Sequence, residues 1–179
     1  MPLALTDPRW NVLHGSYGGT ADIVAWLTEA YAKGGMSEER LGDLINEIQH
    51  QGDTSTAMYA VAPHLVVLAR GAKPSDALEW LTHAGLIHAA ADGPNAVACP
   101  EFLAADFAAS AADGAPLLAP LLVTATDVDK WRFETFKYAV AALAGFLGHQ
   151  SFARFLDGLD LYEGRFHHAL LDEPFPPEV

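Results

Sequence analysis

The sequence predicts an all-α fold in which antiparallel helix pairs pack as a short α-solenoid or as an irregular helical bundle. Three observations lead to this prediction. Apolar residues recur at helical spacing in one segment after another. Short corners that contain Gly or Pro separate these segments. No segment alternates polar and apolar residues for six positions between turn signals, which is the pattern expected of a half-buried strand.

The first two predicted helices have clear start and stop signals. Thr20 is a suitable N-cap for the first, which Gly34 and Gly35 end, and Ser37 caps the second. The apolar face of the second helix follows i, i+3, i+4, i+7 spacing, with Leu41, Leu44, Ile45 and Ile48. This helix is expected to end at a tight corner, His50-Gln51-Gly52, with Gly52 as its left-handed residue.

A third helix, also predicted to be amphipathic, runs from about Thr54 to Arg70 and folds back on the second through that corner. Its apolar positions are Ala57, Val61, Leu65 and Leu68. Pro63 lacks a backbone donor and crowds the preceding turn, so a kink or a break is expected there. Pro74 opens a fourth helix that ends before Asp92, and Pro100 is placed to be the first residue of a fifth.

The last third of the chain is less regular. The stretch from Asp113 to Thr126 contains Pro116 and Pro120 and could be a short buried helix, which we favour, or an extended linker. A sixth helix is expected from about Val128 to Leu147, closed by Gly148, and a further short helix over 151–156. The Pro-rich tail, residues 174–179, and the lead-in, residues 1–19, are expected to be irregular, although Trp10, Val12 and Leu13 should anchor the lead-in to the body.

Length and composition predict one soluble cytoplasmic domain over residues 1–179. Hydrophobic residues make up 51% of the chain, and ten basic against twenty-three acidic residues give a net charge of -13. This charge disfavours nucleic acid as a partner and suits a basic protein. The single cysteine, Cys99, cannot form an internal disulfide. We expect no signal peptide and no membrane span, since the longest apolar stretch, 108–126, is interrupted by Asp113, Gly114 and two prolines.

One charged surface is the best candidate for binding a protein partner. Glu39, Asp43 and Glu47 recur every four residues on the second helix, about 150° from its apolar stripe at 100° per residue. Like charges at this spacing repel one another, and Arg40 offsets the repulsion only in part. Such a stripe is either a solvated face or a surface that meets a basic partner.

No residue pattern predicts a catalytic site, a metal site or a cofactor. His50 and Gln51 lie at a helix end, where they are expected to form a structural corner rather than a catalytic centre. His64 is expected to be a satisfied core histidine. His83 and His88 are five residues apart, on different helix faces, so they cannot chelate a metal as a pair. The segment from His14 to Thr20 lacks the first glycine of a nucleophile elbow and the lysine of a phosphate loop, and a flexible helix start is favoured there.

The segment Leu44 to Ala69 resembles bacterial HEAT-repeat-like proteins. The resemblance rests on the Ile48-Gln49-His50-Gln51-Gly52 corner and on the following Ala60-Val61-Ala62-Pro63-His64-Leu65, and the lead-in with Trp10 and Tyr17 adds to it. It implies an α-solenoid that binds other macromolecules, and some small acidic proteins of this kind look like immunity proteins that neutralise toxins. A non-enzymatic immunity protein that occludes a basic toxin domain is therefore expected. The alternatives are a HEAT-like DNA glycosylase or a regulatory scaffold that binds host proteins.

Overall fold

The fold is all-α, as predicted, in a computed structural model that describes residues 1–50, 53–124 and 133–158. A 3₁₀ helix over Pro8–Val12 precedes seven α-helices in these residues, and a two-residue antiparallel strand pair lies between the second and the third. The helices are α1 (Ala21–Lys33), α2 (Glu38–Ile48), α3 (Met58–Ala69), α4 (Pro74–Ala90), α5 (Glu101–Thr124), α6 (Phe133–Phe146) and α7 (Gln150–Gly158), and the strands are β1 (Gln49–His50) and β2 (Asp53–Thr54).

The predicted limits of α1 and the predicted start of α2 agree with the structure, whereas the third helix begins at Met58 and not near Thr54, which lies in β2. Gly34 ends α1 in the left-handed conformation, with φ of 72°. The Ser37 hydroxyl accepts a hydrogen bond from the backbone N–H of Arg40 at 3.3 Å and so caps α2. Thr20 precedes α1, but its hydroxyl donates to the Trp10 carbonyl at 2.7 Å instead of capping the helix. This bond holds the lead-in against the start of α1.

The connection between α2 and α3 differs from the predicted helical corner. The α2 helix ends at Ile48, and Gln49 and His50 are extended and pair with β2, while Gln51 and Gly52 lie outside the described residues. The two helices have different main partners, since α2 packs on α1 and α3 packs mainly on α4 and α5.

The α3 helix is a core helix and is not amphipathic, so that prediction is wrong. Every residue from Met58 to Ala69 except Val67 is buried, because neighbours cover all sides of the helix. The helix also continues unbroken through Pro63. Packing on every side stabilises the helix against the loss of one backbone hydrogen bond.

The α5 helix is continuous from Glu101 to Thr124, so the stretch from Asp113 is helical, as favoured, but it is the second half of α5 and not a separate short helix. It is the one helix among the described residues that is long and apolar enough to cross a membrane, judged by length and composition alone. Only 28% of the apolar stretch is buried. One such helix is weak support for a membrane span, since single apolar helices in soluble proteins meet the same criteria.

The α4 helix is central, because it contacts α3, α5, α6 and α7. Packing around one central helix is typical of an irregular bundle, whereas a solenoid repeat contacts mainly its neighbours. One cluster of buried apolar residues extends from Leu3 in the lead-in to Phe146 in α6. Of the three expected lead-in anchors, Trp10 and Leu13 are buried, but Val12 is 62% exposed, so its assignment is wrong.

The remaining predictions concern the last third of the chain. The expected start of the sixth helix at Val128 lies outside the described residues, and α6 ends at Phe146, one residue before the predicted Leu147. Gly148 follows it in the left-handed conformation, with φ of 79°. The short helix predicted for 151–156 is present as α7. The tail, residues 174–179, lies outside the described part of the chain.

Candidate functional site

A cavity of about 840 Å³ runs along one face of α4. This face carries residues at helical spacing, and the opposite face packs into the core through Trp80, Leu81 and Ile87. The facing walls come from α2, the strand pair through Gln49 and Thr54, the loop 93–96, α6 and α7. The α4 residues that line the cavity are Ser75, Leu78, Glu79, Thr82, His83, Leu86, Ala89 and Ala90.

Three carboxylates line the cavity, and two of them are Glu79 on α4 and Glu38 on the first turn of α2. Neither forms an ion pair or a hydrogen bond with another described residue. Burial raises the pKa of Glu79, and the nearby negative charges of Glu38 and Asp76 raise it further. Glu38 and Glu79 therefore bring negative charge to the cavity without an ion-pair partner among the described residues.

His83 lies one helical turn after Glu79 and lines the same cavity. None of the described residues hydrogen-bonds its ring nitrogens, and the side chain is half-buried. Burial lowers the pKa of His83 to about 4, so the imidazole is neutral at physiological pH. It offers one N–H donor and one nitrogen acceptor to a molecule in the cavity.

The α7 helix closes the opposite side of the cavity. The Arg154 Nη1 donates to the carbonyl oxygens of Asp92 at 3.0 Å and Ala89 at 3.4 Å, and so binds α7 to the C-terminal end of α4. One turn later, Asp157 also lines the cavity. Burial raises its pKa, and the positive charge of Lys137 partly opposes this shift. The Arg154 guanidinium is therefore already hydrogen-bonded to the end of α4 and helps to hold α7 in the cavity wall.

The predicted acidic stripe lies outside this cavity, since none of its three members lines it. Glu39 is exposed, and Asp43 accepts a hydrogen bond from Arg40 at 3.1 Å while its side chain stays 49% exposed. Glu47 differs, because it is half-buried and its carboxylate packs against Gly15, where an added Cβ would lie 2.5 Å from Oε1. The freely accessible part of the stripe is therefore Glu39 and Asp43.

His50 forms a small polar network on the outside of the strand pair. Its Nδ1 lies 2.7 Å from the Tyr17 hydroxyl and 2.8 Å from Asn46 Oδ1, and the Asn46 amide donates to the same hydroxyl at 3.3 Å. These contacts join the lead-in to α2. The other two residues of the predicted corner, Gln51 and Gly52, lie outside the described residues.

His64 is a buried histidine with both nitrogens bonded, as predicted. Its Nε2–H donates to the Leu3 carbonyl at 2.9 Å, and its Nδ1 accepts from the Tyr31 hydroxyl at 2.9 Å. Burial lowers its pKa to about 4. Within the described ranges, no three His, Cys, Asp or Glu side chains are grouped so that they could hold a metal ion.

No family model, curated protein or solved structure matches this chain. The resemblance to HEAT-repeat-like proteins therefore stays a prediction, and the cavity has to be interpreted from its own chemistry. Sequence reasoning missed Glu79 as a site residue and considered His83 only as half of a metal pair. The available signal was two polar side chains at i, i+4 among the apolar residues of this helix.

Proposed function

We propose that the protein is a non-enzymatic binding protein whose cavity along α4 holds a small organic molecule. The observation that carries this proposal is the cavity of about 840 Å³, which combines apolar walls with unpaired polar groups. Cavities of roughly 300–1,000 Å³ with mostly apolar walls and a few convergent polar groups are typical of small-molecule sites. Ile45, Leu78 and Leu86 supply apolar surface, and Glu79 and His83 supply polar groups that pair with no described side chain.

The same groups favour binding over catalysis. Covalent catalysis needs a nucleophile within hydrogen-bond reach of a base. Among the described residues, no imidazole hydrogen-bonds a hydroxyl that lines the cavity, and the Ser75 hydroxyl donates to the adjacent Asp76 at 3.0 Å. Among the described residues, His83 has neither an orienting partner nor a positioned nucleophile.

A matched pair of tryptophan substitutions tests the proposal. Ala96 lines the cavity, whereas Ala98 lies two residues later in the same loop, is exposed and does not line it. In a ligand-observed NMR screen of aromatic and aliphatic fragments, we expect binding to the unmodified chain and to Ala98→Trp, and loss of binding in Ala96→Trp. An absence of fragment binding to the unmodified chain, or equal binding to both variants, would overturn the proposal.

A second candidate function is the binding of a basic protein, such as a toxin domain that an immunity protein would occlude. The exposure of Glu39 and Asp43 on α2 and the net charge of -13 support it. An acidic surface raises the association rate with a basic partner, and this effect decreases with salt. By contrast, a HEAT-like glycosylase would have to bind DNA at low salt, for which ten basic residues are few.

The test compares charge reversals on two helices. A basic protein that binds the tagged chain directly is purified, and its Kd is measured with the double variant Glu39→Lys and Asp43→Lys. We expect the Kd to rise by about tenfold or more, because attraction becomes repulsion. The control is Glu101→Lys, an exposed acid in the first turn of α5, which should leave the Kd within about twofold. Equal effects of both changes would reject α2 as the interface.

A further inference from the structure

The charges along the cavity favour one chemical class of ligand. Three carboxylates line it, Glu38, Glu79 and Asp157, and Arg154 is the one lysine or arginine that does so among the described residues. The Arg154 guanidinium already donates to two backbone carbonyls. Glu38 and Glu79 have no such partner in the part of the chain that the structure describes. An anionic ligand would therefore meet repulsion, whereas a cationic one would replace repulsion between carboxylates with attraction.

Resting on the proposed function, we infer that the cavity binds a hydrophobic amine, which is a molecule with an apolar body and one protonated amino group. An ammonium group has three N–H donors and no acceptor. The carboxylates of Glu38 and Glu79 are acceptors of the strong, charge-assisted kind. The neutral imidazole of His83, one turn from Glu79 and unbonded by any described residue, offers a further acceptor.

The apolar lining fits the rest of such a ligand. Ile45 on α2 and Leu78 and Leu86 on α4 supply aliphatic surface, and Tyr138 on α6 adds an aromatic ring. Burying apolar ligand surface against these side chains contributes about 25 cal/mol per Å² before the costs of association are subtracted. A polyamine with charges along its whole length would leave several ammonium groups against this apolar surface without partners.

The test is calorimetric titration of the full chain at pH 7.5 with three probes that share a phenylalkyl body: 4-phenylbutylamine, 4-phenylbutanol and 5-phenylpentanoate. We expect the amine to bind at least tenfold more tightly than the alcohol, and the carboxylate to bind more weakly than the alcohol. Glu79→Gln should reduce the preference for the amine by about tenfold, since a neutral amide replaces the charged acceptor.

Adjacent residues on α2 provide the matched control. Glu38 lines the cavity and Glu39 does not, so Glu38→Gln should reduce the preference for the amine and Glu39→Gln should leave it unchanged. Circular dichroism establishes that each variant is folded, and Glu38→Gln keeps the test informative if Glu79→Gln fails to fold. Binding of the alcohol or the carboxylate as tightly as the amine would overturn the amine assignment and leave the proposed function intact. If none of the three probes binds, the amine assignment is also overturned. The fragment screen with Ala96→Trp then tests the proposed function separately.

Discussion

The close crossing of α4 and α6 predicts that Gly85→Ala lowers the unfolding free energy. The same substitution within a helix usually raises it. A Cβ at Gly85 would lie 2.6 Å from the Cβ and 2.7 Å from the carbonyl carbon of Ala142. Gly145 completes the crossing, since its own added Cβ would lie 3.0 Å from the backbone nitrogen of Ala89. Because the obstacle at Gly85 is largely backbone, no rotation of a flexible side chain can relieve the clash.

The expected magnitude follows from two opposing effects. Replacing a helical glycine by alanine stabilises a helix by about 1 kcal/mol. Carbon atoms pack best at about 3.5–4.0 Å, so Gly85→Ala must separate the two helices by about 1 Å. Such overpacking costs about 1–3 kcal/mol. With backbone in contact we expect the upper end of that range, and so a net loss of about 2 kcal/mol of unfolding free energy.

Urea unfolding followed by circular dichroism measures this effect, and Gly42→Ala is the control. Gly42 is exposed in the middle of α2, with no atom within 4 Å of an added Cβ. The same substitution there should raise the unfolding free energy by up to about 1 kcal/mol. If Gly85→Ala were as stabilising as Gly42→Ala, the close crossing of α4 and α6 would be refuted.

Three further predictions concern stability. The pKa values of His64 and His88 are lowered by burial to about 4 from 6.5, so the unfolded chain binds more protons between these values. The unfolding free energy, measured by urea titration at a series of pH values, should fall by up to about 3 kcal/mol per histidine from pH 6.5 to 4. An unfolding free energy that does not change with pH in this range would contradict the burial of these histidines. Tyr31→Phe leaves the Nδ1 of His64 without its donor and should cost about 1–3 kcal/mol in thermal or urea unfolding, whereas no change would contradict that bond. Arg154→Met removes the two hydrogen bonds to the end of α4. It should lower the unfolding free energy by about 1–3 kcal/mol and speed up amide hydrogen exchange in α7. Unchanged exchange would show that other contacts hold that helix.

The sequence allowed the early helices to be predicted because their ends are fixed by local chemistry. Ser37, Gly34 and Pro74 act through caps, left-handed backbone and fixed φ, and each effect involves only a few neighbouring residues. The same holds for Gly148 after α6. These positions required no knowledge of the tertiary packing.

The parts that could not be predicted depend on distant contacts. The strand pair beside α2 is held partly by Thr54, whose hydroxyl donates to the Asn95 carbonyl at 3.2 Å and accepts from the Val97 N–H at 2.9 Å. Likewise, burial on all sides keeps α3 helical through Pro63. The apolar spacing along one face of the helix could not indicate that the other faces are buried too.

The candidate site was predictable only in part for the same reason. The sequence places Glu79 and His83 one turn apart on α4, but the facing residues come from α2 and from α6 and α7 far along the chain. The acidic stripe was recognisable because it lies within one helix. The packing of Glu47 against Gly15, which leaves its side chain only partly exposed, was not recognisable, because Gly15 is distant in the sequence.

Mapping of backbone amide shifts by ¹H–¹⁵N NMR during titration with 4-phenylbutylamine tests the central claim most directly, because it locates the bound ligand on the chain. If the cavity along α4 is the ligand site, the largest shifts will belong to Leu78, Thr82 and Leu86 on α4 and to Ile45 on the facing α2. They should disappear in Ala96→Trp and persist in Ala98→Trp. Shifts concentrated on the exposed face of α5, or no saturable shifts, would contradict the assignment of this cavity as the functional site.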